Sequence, residues 1–301
     1  MSIKNKLGKN IGFYGDSYTV RPFTNFIGGP GRWENLSTDE QRLDFTYNIN
    51  EDQLDTPADH PDYCYWWTYQ LQQHFEKSIH YGISGTSQEH MLYDQIDVNN
   101  NRWSYEKQIP DVMICVWTGF ARIFYDHHEL NEVFSANQLN WLNQLGSRYQ
   151  SITESDKKLF GVNKKLIDIV TQDKLIASNN VAQYRCIGNC ITFDQYWSQL
   201  LKQRNPNVKI IHLQTSSKPF TLDKGNWTST LKNNIWVKNF PLNDLSGDEA
   251  DLKGRQYVGH FGKQWKHDLL YEKLLYLIEN YDNLKGIVDG SNWQKTYKNS
   301  L

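Results

Sequence analysis

A chain of 301 residues with 39% hydrophobic content can bury a substantial core, and one large domain over 1–301 accounts for it better than two small ones. A formal net charge of −2 without a long basic run lacks the electrostatic footprint that phosphate-backbone binding needs, so nucleic acid is not expected as a partner. No run approaches the roughly 18 consecutive apolar residues of a membrane span, and residues 1–10 are short, polar and without a signal-like apolar stretch, which predicts a soluble protein with no membrane partner.

Four cysteines in a chain of this length do not suggest a disulfide framework, and four reduced thiols are expected. Cys186 and Cys190 stand four apart in a helical-looking segment and would share a face. They could be half of a metal site, but no second Cys/His pair has matching spacing, so they read as small core residues and no metal is expected.

Four short apolar stretches bounded by turn signals read as buried parallel strands: residues 10–16, 78–83, 110–117 and 207–214. Helical patterns lie between and after them. Residues 61–76 carry Tyr65, Trp66, Tyr69, Leu71 and Phe75 just after Pro61, a residue favoured at helix starts. Residues 179–203 and 264–279 repeat apolar positions every three to four residues, with Trp265, Leu269, Leu270, Leu274, Leu277 and Ile278 in the second. Strands alternating with helices imply an α/β class with a parallel sheet covered on both faces. Two excursions exceed what such a fold needs. Residues 20–58, with Gly28, Gly29, Pro30 and Gly31, suit a substrate loop or a surface insertion, and residues 123–175 suit a cap over the site.

The first apolar stretch runs straight into Gly15-Asp16-Ser17, so Ser17 stands at the carboxyl end of a strand, where open α/β sheets bind their ligands. A serine hydroxyl needs a base within hydrogen-bond reach and donors aimed at the developing oxyanion. Among the nine histidines, His260 lies in a loop just before the last long helix and can reach the carboxyl edge of the sheet. His127 and His128 are its rivals, and His267, further into the helix, reads as a packing residue. The turn Gly82-Ile83-Ser84-Gly85-Thr86-Ser87 follows the second strand, and Gly85 lets a backbone N–H approach closely. Thr86 or Ser87 would cap a helix through 88–97.

These blocks resemble the SGNH hydrolases, the GDSL esterase/lipase superfamily: Phe13-Tyr14-Gly15-Asp16-Ser17-Tyr18, the glycine turn 82–87, the strand Pro110-Asp111-Val112-Met113-Ile114-Cys115-Val116-Trp117, and Gly259-His260 before a helix. The resemblance spreads from residue 10 to about 280 and leaves both excursions unmatched. It implies a three-layer flavodoxin-like fold of about five parallel strands and ester hydrolysis through an acyl-enzyme, without metal or organic cofactor. Ser17 would be the nucleophile, His260 the base, and the N–H groups of Ser17 and Gly85 two oxyanion donors. The substrates implied are O-acetylated sugars, lipids and other small esters.

Two departures stand out. The third block normally ends in an Asn that donates to the oxyanion, whereas this chain has Thr118-Gly119-Phe120-Ala121, leaving the role to Thr118, to Arg122 or to nobody. The acid usually found three residues before the base is Tyr257 here, so Asp248 or Asp251 would have to fold back, or a Ser-His dyad would work alone. Asp16, Trp33 and Trp117 are candidates for substrate contact. The acyltransferase variant of the same chemistry is indistinguishable at this level. A non-catalytic binding or structural protein, such as a viral appendage component, is the alternative from another class. The corresponding locations are cytoplasmic or virion-associated.

Overall fold

The computed structural model describes residues 7–15, 19, 66–80, 88, 91–92, 109–118, 180–215, 227–245 and 263–298. Six strands form one all-parallel sheet in the order β2-β1-β3-β4-β5-β6. They are β1 (Gly8–Gly15), β2 (Phe75–His80), β3 (Val112–Trp117), β4 (Lys209–Gln214), β5 (Ile235–Lys238) and β6 (Gly286–Asp289). The four strands expected from sequence are all present, within three residues of their expected bounds. The expected count of about five is corrected to six. β5 and β6 are each four residues long, below the length at which an apolar run separates from loop background.

Alternation along the strands divides the core in two. Ile11, Phe13, Val112, Ile114, Val116, Ile211, Leu213, Ile235 and Val237 share one buried cluster with α1 (Trp67–Gln72), α4 (Gln264–Glu279) and α5 (Trp293–Lys298). Tyr14, Met113, Cys115, Trp117, Ile210 and Trp236 share the other with Ile187 and Cys190 of α2 (Asn180–Thr192), Phe193, and Leu201 of α3 (Ser198–Arg204). Period-two side-chain alternation makes this partition inevitable once both faces are covered. The first face is mainly aliphatic on the sheet side, with Phe13 among the aliphatic residues; the second mixes aromatic and apolar side chains with the buried polar His212 and Gln214.

The helix expected over 61–76 stops at Gln72 among the described residues. Phe75, read as part of its apolar stripe, instead opens β2 after a turn in which His74 N–H donates to the Leu71 carbonyl at 3.1 Å. The helix expected over 264–279 has those bounds. Its buried Leu269, Leu270, Leu274, Leu277 and Ile278 lie against the aliphatic face, each contributing about 1.5–3 kcal/mol of hydrophobic stabilisation. The 179–203 helix is broken by one π turn, Phe193–Trp197, a widening that re-aims the side chains within it.

Two ends of the sheet can be told apart by their fastenings. At the amino edge Asp111 accepts from the backbone N–H groups of Lys9 at 2.6 Å and Asn10 at 3.2 Å, and from Asn205 Nδ2 at 3.3 Å. Lys209 Nζ donates to the Ile278 carbonyl at 2.9 Å, which puts the last turn of α4 at that edge and its first turn at the carboxyl edge. At the carboxyl edge β1 ends on Gly15, whose φ is +129° and whose missing Cβ would fall on the Val116 carbonyl of β3. Both conditions exclude any side chain. The excursions at 20–58 and 123–175 lie outside the described residues.

Gly15→Ala is expected to destabilise the fold by at least about 2 kcal/mol, read as a shift in the midpoint of denaturant unfolding.

Candidate functional site

The strand order reverses between β1 and β3, because β1 connects to β2 on one side and β3 lies on the other. In open α/β sheets the crevice outside the carboxyl ends at such a reversal is where ligands bind. Here that edge is formed by Gly15, Thr118 and Gln214 at the ends of β1, β3 and β4. Ser17 follows Gly15 by two residues, and His260 precedes the first residue of α4 by four. Asp16, Ser17, Trp33, Gly85, Arg122, His127, His128, Asp248, Asp251 and His260 lie outside the described residues.

Of the expected site residues, Thr118 and Trp117 are described. Thr118 is buried; its carbonyl accepts from Gln88 Nε2 at 3.0 Å, and its hydroxyl has no hydrogen-bond partner among the described residues. Gln88 in turn accepts from Asn189 Nδ2 at 3.4 Å, so α2 is linked to the end of β3 through the neutral amide of Gln88. Trp117 is fully buried and packs edge-on to Phe193 at 5.8 Å and against Trp236 at 5.6 Å. Its indole N–H donates to His212 Nδ1 at 2.9 Å. These contacts assign Trp117 to the core beneath the crevice instead of to a ligand-stacking surface.

His267, expected to be a packing residue, is buried in the first turn of α4, stacked on Trp66 at 5.2 Å, with the Trp67 N–H directed at its Nδ1 at 3.4 Å. Cys186 and Cys190 are buried free thiols, and no group of metal-binding side chains is found among the described residues.

Sequence reasoning missed the polar chain under the crevice. Asp194, fully buried in the π turn, accepts from Trp236 Nε1 at 2.8 Å and Asn234 Nδ2 at 3.0 Å through one oxygen. The other accepts from the N–H groups of Lys232 at 2.9 Å and Asn233 at 3.1 Å. Trp236 stacks on His212 with ring centres 3.7 Å apart, and His212 accepts from Trp117. An indole N–H can only donate, so Nδ1 is the acceptor and the proton of the neutral ring sits on Nε2. Burial, then the Lys202 charge, holds the His212 pKa well below its ordinary 6.5. Lys202, itself lowered by burial first and by the Lys285 charge next, donates to the Asn233 carbonyl at 2.7 Å. The one signal in the sequence was the pattern of β4, where His212 and Gln214 interrupt an otherwise apolar strand on alternate positions.

A histidine that is neutral when folded and takes a proton when unfolded costs stability as pH falls below the unfolded value. Stability should therefore fall from pH 6.5 downwards, with His212 contributing about 1.4 kcal/mol per pH unit until its folded pKa is reached. His212→Gln should flatten that slope in denaturant titrations at stepped pH. Asp194→Ala should cost about 3 kcal/mol or more by stranding the buried Asn234 and Trp236 side-chain donors together with the half-buried N–H groups of Lys232 and Asn233, measured in the same way.

No protein-family model matches the chain, and neither a curated protein nor a solved structure matches it.

Proposed function

We propose that this protein is a serine hydrolase of the SGNH type that cleaves a short acyl ester, an O-acetyl group on a carbohydrate or small molecule, through an acyl-enzyme on Ser17. The observation that carries this reading is the strand order. A 2-1-3-4-5 parallel order is the flavodoxin-like arrangement, here extended by β6, and its ligand crevice opens at the ends of β1 and β3. The Gly-Asp-Ser triplet begins on the last residue of β1. The helix that follows His260 starts at the same edge of the sheet, since its other end is fastened to the amino edge through Lys209 and Ile278.

In this mechanism His260 takes the proton from Ser17 Oγ as the oxygen attacks the ester carbonyl. The tetrahedral oxyanion receives N–H bonds from Ser17 and Gly85. Collapse expels the alcohol, which takes the proton back from His260, and water attacks the acyl-enzyme with His260 again as base, releasing the acid. An alcohol acceptor in place of water would make the same site an acyltransferase. The Thr118 hydroxyl, buried at the end of β3 with no partner among the described residues, supplies the donor that the absent Asn would give.

The competing reading, a binding protein that kept the fold and lost turnover, draws on Phe120 and Tyr257 standing where a donor and an orienting acid are usual. A fluorophosphonate probe decides between them. Under the hydrolase reading it labels Ser17, the label disappears in Ser17→Ala, and His260→Ala lowers turnover of a short-chain aryl ester by about a hundredfold to ten-thousandfold. Folded protein that takes no label on Ser17 rules the hydrolase out. Thr118→Val should lower turnover by about a hundredfold while leaving stability within about 0.5 kcal/mol, because it breaks no hydrogen bond among the described residues.

A further inference from the structure

Thr118 stands one residue beyond Trp117, the last residue of β3 and its last in register with β4. Its carbonyl is held from outside the strand ladder, by the side chain of Gln88, whose Nε2 donates at 3.0 Å. Both residues are buried. The two partners of Gln88 set the orientation of its amide: the Thr118 carbonyl needs the NH2, and Asn189 Nδ2 of α2, at 3.4 Å, needs the oxygen. A lysine or arginine could also donate to the carbonyl, but would accept nothing from Asn189. Gln88 follows Gly85 by three residues, so one amide joins α2, the strand end at Thr118 and the stretch of chain after Gly85.

We infer that Gln88 is a positioning residue for the oxyanion donor at Thr118: it fixes the Thr118 backbone and, through it, the place of the Thr118 hydroxyl. The inference rests on the ester cleavage proposed above. Threonine is β-branched and has few χ1 choices, so the position of its backbone passes directly to Oγ1. That hydroxyl has no hydrogen-bond partner among the described residues to hold it instead. Displacing a group at a reacting centre by about 1 Å can cost about a hundredfold in rate. A side-chain bond that sets the Thr118 backbone therefore matters to turnover beyond what it adds to the fold.

The test is a double-mutant cycle on turnover of the short-chain aryl ester, with the full chain and with variants whose near-ultraviolet circular dichroism matches wild type at the assay temperature. Gln88→Met keeps the length of the side chain and removes both hydrogen bonds. It should lower kcat about tenfold to a hundredfold with KM within about twofold, because the interaction it weakens is made in the transition state. Added to Thr118→Val, the same change should lower kcat by less than about twofold, since the donor that Gln88 positions is already gone. Equal losses in the two backgrounds overturn the inference, by showing that Gln88 acts on the fold at large or on another group. A rise in KM with kcat unchanged overturns it too, as does wild-type turnover in Thr118→Val, which removes the group through which Gln88 acts. If Gln88→Met does not fold, Gln88→Asn, one methylene too short to span both partners, takes its place with the same expectations. Wild-type protein that takes no fluorophosphonate label brings down the hydrolase reading and this inference with it. A labelled, active wild type with equal losses in both backgrounds removes this inference alone.

Discussion

The buried carboxyl of Asp194 is the constraint around which the second face of the sheet is organised. A carboxyl taken out of water is tolerable only where donors surround it, and these come from three places: the turn before β5, the side chain of Asn234 and the indole of Trp236. That gathering fixes the phase of β5, since a one-residue slip would carry Trp236 to the opposite face. With Trp236 fixed, His212 has a ring to stack on, and with His212 fixed, the Trp117 indole has an acceptor. Three adjacent strands are thus set in register by side chains as well as by their ladders. The π turn serves the same end, because it carries Asp194 as its second residue while the helix continues on either side.

The two faces of the sheet are consequently held by different physics. The first is an apolar interface, whose stabilisation is non-directional and proportional to buried area. The second depends on bond directions among aromatic, imidazole and amide groups, and such networks are worth most when every member is satisfied. Satisfaction is complete around Asp194, while the His212 Nε2 atom has no partner among the described residues.

How far the sequence revealed this follows the same division. Stretches whose structure rests on apolar periodicity were legible: β1, β3, β4 and α4 follow from patterns such as Leu269, Leu270, Leu274, Leu277 and Ile278, because burial on one face leaves a regular trace. Phe75 was misread for a related reason, since a single aromatic fits a helical stripe and a strand start equally well. β5 and β6 were too short to leave a trace. The Asp194 network was illegible, because its partners at 232–236 lie some forty residues away and nothing in local pattern pairs a helix acid with a distant indole. Of the expected site, the strand ends carrying Gly15 and Thr118 were legible through chain order and turn chemistry. Trp117 was placed at the right strand end but assigned to ligand contact, because a sequence does not tell which face of a strand a core already occupies.

Gly15 also bears on how the Gly-Asp-Ser triplet is to be weighed. Its backbone angle and the Val116 carbonyl forbid any other residue there, so the glycine is required by packing between β1 and β3 whatever chemistry follows. A descendant of this chain that abandoned catalysis would still be obliged to keep it. One of the three letters by which such a motif is recognised is therefore a record of architecture, and the information about chemistry resides in the two residues after it.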